Sequence, residues 1–264
     1  MNDLLAPDSK QRFSNRVEDY VRCRPGYPAA VLDVLCEECG LRPESVVADI
    51  GSGTGLLAQM FLENGNLVYG VEPNAAMREA GEQWLEKYPH FCSVAGSAEA
   101  TTLPDASVDF VVVGQAFHWF DREAARSEFV RILKPGGSVA LLWNERDVEA
   151  TPFMSEYELL LRCYGTDYST VQHTYSEQAG LDKFYAPSEV ETREFENQQH
   201  VDLDGLKGRL MSASYAPPAG DPRHEPMMKD LGGLFAKHQV DGRVTILYRT
   251  RVYWGHLAPR VHTP

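Results

Sequence analysis

The sequence predicts an α/β fold, a mostly parallel sheet with helices on both faces, and three observations predict it. First, short β-prone apolar runs alternate with ten-residue helical patterns along residues 29–143, the signature of repeated βαβ units. Second, the stretch Val46 to Gly55, VVADIGSGTG, passes from an apolar run through Asp49 to glycines at alternate positions, Gly51, Gly53 and Gly55, and then into a helical pattern. It reads as strand, tight turn, helix. Third, the apolar run Leu67 to Val71 ends in an acid, Glu72, about twenty residues after Gly51, where a ribose-binding carboxylate belongs in such folds.

The elements follow in order. A helix over Ala29–Gly40 stops at its terminal glycine, with Pro43 beyond. Then come a strand Ser45–Ile50, a helix Thr54–Asn64, a strand Asn66–Val71, a helix Asn74–Tyr88 and a strand Phe91–Ala95. Leu103–Asp109 leads into a fourth strand, Phe110–Gly114, and Asp121 N-caps a helix Arg122–Leu133. The turn Lys134-Pro135-Gly136-Gly137 opens a fifth strand, Ser138–Trp143. Right-handed crossovers place a ligand at the C-terminal strand ends.

Beyond residue 144 the periodicity loosens. Residues 145–188 carry helical patches at Phe153–Tyr164 and Tyr175–Phe184 and read as a cap insertion. Residues 189–264 complete the sheet: a strand Val190–Asn197, a helix Leu203–Ser212, the break Ala216-Pro217-Pro218-Ala219-Gly220, a helix Pro226–His238 and a β-prone strand Arg243–Tyr253, with further cap helices over 202–240. The cofactor-binding portion is residues 1–144.

Composition narrows the function classes. The chain has 264 residues, 43% hydrophobic and 24% charged, an ordinary globular balance. A net charge of −13 repels phosphate backbones and anionic lipid, so neither nucleic acid nor membrane is expected as a partner. The longest apolar runs are too short to span a bilayer, the first residues lack a basic-then-apolar leader, and five scattered cysteines fit a reducing compartment; a cytoplasmic location is expected. Cys36 and Cys39 form a C-x-x-C inside a helical pattern with no second pair, and read as packed thiols. No His/Cys/acid grouping with metal-ligand spacing appears, so no metal is expected.

The glycine spacing separates two nucleoside cofactors. A dinucleotide fingerprint, G-x-G-x-x-G, would put its third glycine at Leu56; here it is Gly55. With Asp49 two residues ahead of Gly51, the stretch resembles the first motif of class I S-adenosylmethionine (SAM) dependent methyltransferases. The resemblance implies a Rossmann-like methyltransferase sheet, mostly parallel with an antiparallel last strand, helices on both faces and a helical cap. It implies SAM as cofactor and S-adenosylhomocysteine (SAH) as product. Asp49 would face the methionine ammonium; Gly51, Ser52, Gly53, Thr54 and Gly55 would lie under the amino-acid part and ribose; Glu72 would take the ribose hydroxyls, beside Pro73 and Met77.

Three further segments resemble the small-molecule subgroup of trans-aconitate methyltransferase and the yeast stress-response methyltransferase. Arg24-Pro25-Gly26-Tyr27-Pro28 precedes the first core helix, and the resemblance makes Tyr20 and Arg24 candidate contacts of the SAM carboxylate. Gly96-Ser97-Ala98-Glu99 would read the adenine edge, with Ser97 where the family often has aspartate. Gln115-Ala116-Phe117-His118-Trp119-Phe120, at the end of the fourth strand, would line the place where sulfonium and acceptor meet. Gln115, Ala116 and Phe117 then border the cofactor.

His118 is the titratable group nearest neutrality there and the candidate general base. His118, Trp119, Trp143, Arg209, Met211 and Tyr215 are candidate acceptor-pocket residues. The expected reaction is methyl transfer to a small molecule, with the oxygen of a carboxylate or hydroxyl favoured. Two other readings stay open: a non-catalytic SAM-binding protein and a nicotinamide-dependent oxidoreductase. Oligomeric state is not legible.

Overall fold

The computed structural model describes residues 23–166, 168 and 178–257. Nine-residue-scale alternation of strands and helices resolves into one seven-stranded sheet, ordered β3-β2-β1-β4-β5-β7-β6, mostly parallel with one antiparallel strand. The strands are β1 Val46–Ile50, β2 Leu67–Val71, β3 Phe91–Val94, β4 Val108–Gly114, β5 Leu133–Arg146, β6 Glu191–Val201 and β7 Val244–His256. The helices are α1 Ala30–Cys39, α2 Leu56–Glu63, α3 Ala75–Trp84, α4 Arg122–Ile132, α5 Pro152–Tyr164, α6 Gln178–Tyr185, α7 Leu203–Met211 and α8 His224–His238.

Successive parallel strands run from β1 outward through β2 to β3, and β4 then pairs on the other side of β1. That reversal opens a crevice at the C-terminal ends of β1 and β4. Val47 lies opposite Phe110 and Asp49 opposite Val112, so Asp49 and Gly114 reach the same edge of the sheet.

The chain forms two compact units. The sheet unit comprises the described parts of Gly26–Trp143, Ser176–Phe195 and Thr250–Pro264, and the helical unit those of Met1–Pro25, Asn144–Tyr175 and Glu196–Arg249. The sheet unit's core joins Val31, Leu35 and Phe61 to strand residues Val47, Val68, Phe110, Val112, Ala140 and Leu142, all buried. The helical unit has its own core, including Met154, Leu161, Leu206, Leu231 and Ile246. Each such side chain contributes about 1.5–3 kcal/mol of burial.

Half of the described helices start at short polar caps. Asn74 accepts from the Met77 N–H, Asp121 from those of Glu123 and Ala124, Thr151 from Met154 and Asp202 from Gly205, each satisfying an orphan donor. Several boundaries differ from expectation: β6 runs on to Val201 rather than Asn197 and β7 to His256 rather than Tyr253. α3 stops at Trp84, four residues before Tyr88. The Lys134–Gly137 stretch, expected as a turn, lies within β5, where Gly136 takes φ +81° and the pairing register with β4 shifts between Val108 and Phe110. A left-handed glycine absorbs the extra residues as a bulge, which spacing alone does not distinguish from a turn.

Candidate active site

The glycine turn after β1 is held open by backbone geometry. Gly51, Gly53 and Gly55 all take left-handed φ, at +69°, +56° and +83°, which glycine alone adopts without strain. A Cβ on Gly51 would stand 2.7 Å from Ala116 Cβ, and one on Gly55 would stand 2.4 Å from Leu85 Cδ1. The turn is anchored to β2 by the Gly51 and Ser52 N–H groups, which donate to the Val71 carbonyl at 2.9 and 3.2 Å. Gly55 sits at the N-cap of α2 and offers no side-chain cap, leaving first-turn N–H groups for a ligand.

Two carboxyls flank this turn. Glu72 Oε2 accepts from the Gly53 N–H at 2.9 Å and Oε1 from the Asn74 N–H at 2.8 Å. Burial pushes its pKa up, while those two N–H groups and Arg78 pull it back. Asp49 is 1% exposed, and neither carboxyl oxygen holds a hydrogen bond. Burial pushes its pKa up to about 8; the Ala58 N–H opposes this without reaching bonding geometry, and the Glu72 charge adds to it. Thr54 is equally buried with an unpartnered hydroxyl. A buried acid without a donor calls for a cation beside it.

The opposite wall comes from β4. Gln115, at φ +60°, is a non-glycine residue in the left-handed region, held by its N–H on the Leu142 carbonyl at 3.0 Å; such local strain gathers at functional turns. Ala116 then meets Gly51, and Phe117–Trp119 forms a single 3₁₀ turn. Phe117 is buried, with edge-to-face contacts to Phe120, Trp143 and Phe184 at 6.1, 6.2 and 4.8 Å. His118 packs against Trp119 at 4.6 Å. Burial, and next the Arg122 cation, lower the His118 pKa to about 4, so the imidazole is neutral near pH 7. Trp119 is 38% exposed; Trp143 is 2% exposed, its Nε1–H unpartnered.

The other expected residues are placed as follows. Pro73 directly follows Glu72, and Met77 is buried in the first turn of α3 with its N–H on Asn74. Ser97 and Ala100 bridge through their backbones, Ala98 is buried between them, and Glu99 Oε1 accepts from the Asp121 N–H at 3.0 Å. Arg24, Arg209, Met211 and Tyr215 belong to the helical unit. There Arg24 donates to the Ser212 carbonyl at 2.8 Å, and Met211 packs on the core. Tyr20 lies outside the described residues.

The sequence reading missed two neighbours. The Tyr27 hydroxyl stands 2.5 Å from where a Gly114 Cβ would be, so Gly114 is needed for close approach. Phe184, from α6, packs on Phe117, a pairing across many residues that no local pattern announces. Among the described residues there is no group of three or more His, Cys, Asp or Glu able to hold a metal, and no helix is long and apolar enough to cross a membrane.

A doubly bonded acid at the end of β2, a bare acid at the end of β1 and a three-glycine cradle between them fit a ligand with ribose hydroxyls and a cation. These features define a Rossmann-like α/β domain with a site suited to a nucleoside ligand that carries a cation.

Residues 48–141 match the family model described as a methyltransferase domain. An uncharacterised methyltransferase of Schizosaccharomyces pombe is 34% identical over 155 residues, covering 58% of this chain and 60% of the relative. One of Mycobacterium bovis is 39% identical over 140 residues, covering 53% and 55%. The chain thus spans about three fifths or less of the length of these relatives. Among solved structures, a candidate type II methyltransferase of Anaeromyxobacter dehalogenans superposes with a TM-score of 0.65 at 23% identity, covering 90% of this chain and 99% of that one. A candidate methyltransferase from an antibiotic biosynthesis pathway of Anabaena variabilis gives 0.60 at 22% identity, covering 88% and 98%. These two likenesses concern the fold.

Proposed function

We propose that the protein transfers the methyl group of SAM to a small-molecule acceptor, at the oxygen of a carboxylate or hydroxyl. The observation that carries this reading is the bare, buried carboxyl of Asp49 beside the glycine turn. Bound there, SAM supplies an electrophilic methyl on a sulfonium whose positive charge disappears as the new bond forms.

This chain's residues do the rest. Asp49 holds the methionine ammonium, and Glu72, pre-oriented by Gly53 and Asn74, accepts from the ribose. Gly51–Gly55 supply backbone close enough for contact, and Ser97, Ala98 and Glu99 border the adenine. Phe117 walls the reacting end and excludes water, which favours alignment of nucleophile and electrophile. His118, held neutral by burial and Arg122, is the titratable group in position to take the acceptor's proton. Trp119 and Trp143, in the sheet unit, shape the acceptor site. Residues 1–144, 145–188 and 189–264 then act as cofactor domain, cap insertion and sheet completion.

Calorimetric titration with SAM and with SAH tests the cofactor assignment. Saturable binding that Asp49→Ala and Glu72→Ala each weaken at least tenfold is the expected result. A folded wild-type protein that binds neither would overturn it. Acceptor screening by SAH release, starting from carboxylic acids and phenols, tests the acceptor class.

A further inference from the structure

The β4 side of the crevice is bordered by a tyrosine that the glycine motif does not announce. Tyr27 stands between Pro25-Gly26 and Pro28, and the Val31 N–H donates to the Pro28 carbonyl at 3.0 Å in the turn that leads into α1. A proline of fixed φ two residues before it, another directly after it and the helix start beyond hold its backbone. The phenol reaches the last residue of β4. A Cβ on Gly114 would stand 2.5 Å from the Tyr27 Oη, 3.3 Å from its Cζ and 3.1 Å from Leu57 Cδ2. Glycine at 114 thus leaves a notch, and the hydroxyl end of Tyr27 fills it beside the first turn of α2, the helix that the glycine cradle opens.

Strand register puts this hydroxyl on the same face of the sheet as the Asp49 carboxyl. Asp49 lies opposite Val112; ladder partners share a face, and so do residues two apart on a strand. The open side of Gly114 therefore continues the row of Asp49 and Val112, two residues nearer the C-terminal edge, about 7 Å along the strands. The core of that face joins Val47, Leu57, Phe110 and Val112, and Tyr27 packs on it. Asp49 and Tyr27 thus border one crevice, from β1 and from β4, both within the sheet unit.

An amino-acid end carries its ammonium and its carboxylate on one carbon, so a site that takes the first must also meet the second. Asp49 is the acid for the ammonium. Among the described residues no cation is bonded to Asp49, and the charge that acts on it is that of Glu72, another acid. Two acids without a cation leave the carboxylate to a neutral donor. The Tyr27 hydroxyl is such a donor on the required face, and a hydrogen bond to an ionised acceptor is about twice as strong as one between neutral groups.

We propose that Tyr27 is a specificity-determining residue of the cofactor site: its hydroxyl donates to the carboxylate of the ligand's amino-acid end and so selects SAM and SAH over nucleosides that lack that group. This assignment rests on the SAM reading of the site. It departs from the family resemblance, which gives the contact to Tyr20 and Arg24; the Arg24 guanidinium donates to the Ser212 carbonyl at 2.8 Å in the helical unit. The contact is a hydrogen bond without an ion pair, so Tyr27→Phe removes it while the ring stays against Gly114.

The test is titration calorimetry of the full chain with three ligands: SAH; decarboxylated SAH, which lacks the carboxylate alone; and methylthioadenosine, which lacks both carboxylate and ammonium. Wild type is expected to bind SAH at least about tenfold more tightly than decarboxylated SAH. Tyr27→Phe is expected to weaken SAH about tenfold and to leave the other two ligands at wild-type affinity, with a melting temperature close to that of wild type as the check on folding. Asp49→Asn weakens SAH and decarboxylated SAH together and spares methylthioadenosine. Equal wild-type affinity for SAH and decarboxylated SAH overturns the proposal, and that comparison needs no variant. So does SAH binding undiminished in Tyr27→Phe, or a loss shared equally by all three ligands, which would mark Tyr27 as a packing residue. A folded wild type that binds none of the three overturns the SAM reading and this assignment with it, whereas binding of all three without selectivity overturns the assignment alone.

Discussion

The carboxylate of Glu72 accepts the backbone N–H of Gly53 at 2.9 Å, tying the end of β2 to the middle of the turn that follows β1. One acid thereby orients the glycine cradle. Glu72→Gln keeps the shape but has one acceptor oxygen for two N–H donors, Gly53 and Asn74. A loss of about 1 kcal/mol of stability and at least a tenfold rise in the Kd for SAH are expected. Chemical denaturation and titration calorimetry measure the two effects separately.

Ionising the buried Asp49 costs the free protein stability. Its folded pKa of about 8 lies above the unfolded value of about 4, so the folded state binds the extra proton between those pH values. This contribution to stability is fully present below about pH 4 and is lost as the pH rises toward 8. Asp49→Asn is expected to raise the free protein's stability at pH 7.5 by about 1–3 kcal/mol while abolishing SAH binding. An unchanged or lower melting temperature would contradict the assignment of Asp49 as an unpaired buried acid.

The same residue predicts a proton signature. Binding a cation beside Asp49 lowers its pKa, so near neutral pH SAH binding should release protons. Release should fade as the pH passes 8. Calorimetry in buffers of different ionisation enthalpy counts the protons, and Asp49→Asn removes the signal in any residual binding.

His118 shows the opposite linkage. Its folded pKa, lowered to about 4, lies below the unfolded value of about 6.5, so the unfolded chain binds more protons between these values. Its contribution is present above about pH 6.5 and is lost as the pH falls toward 4, by about 1–3 kcal/mol. His118→Gln should flatten this part of the stability profile in acid titrations. In turnover assays it should lower kcat by about 10²-fold or more if the imidazole takes the acceptor's proton.

Gly51→Ala adds one methyl where the turn has no room. The new Cβ would meet Ala116 Cβ at 2.7 Å in a residue held at φ +69°. A stability loss of about 1–3 kcal/mol is expected, with SAH binding lost beyond the range of calorimetry. Gly136→Ala is the control: its φ is +81° but nothing lies within 4 Å of its Cβ, so it should cost about 1–2 kcal/mol through φ alone and leave SAH affinity unchanged.

Much of the cofactor side was legible in the chain because it is local. Val46 to Gly55 carries its strand, its turn and its helix start within ten residues, and the conformations that turn needs are available to glycine and to little else. Glu72 was legible for the same reason, ending an apolar run at a fixed distance from that turn. The parallel character of the sheet followed from the alternation of strands and helices. The bulge at Gly136 was not legible, since a glycine at positive φ serves a turn and a strand equally.

What tertiary structure alone decided is where distant side chains meet and what they leave unsatisfied. Nothing in the spacing of Phe117 and Phe184 brings them to 4.8 Å, and nothing around His118 in sequence states that burial and Arg122 hold it neutral. Arg146 and Tyr215 were each visible as residues, but the hydrogen bond that joins them is a property of packing. Local sequence fixes backbone conformation because φ, ψ and periodicity act over a few residues. Charge balance, burial and the shifts they impose depend on every group within several ångströms, and only the folded chain brings those groups together.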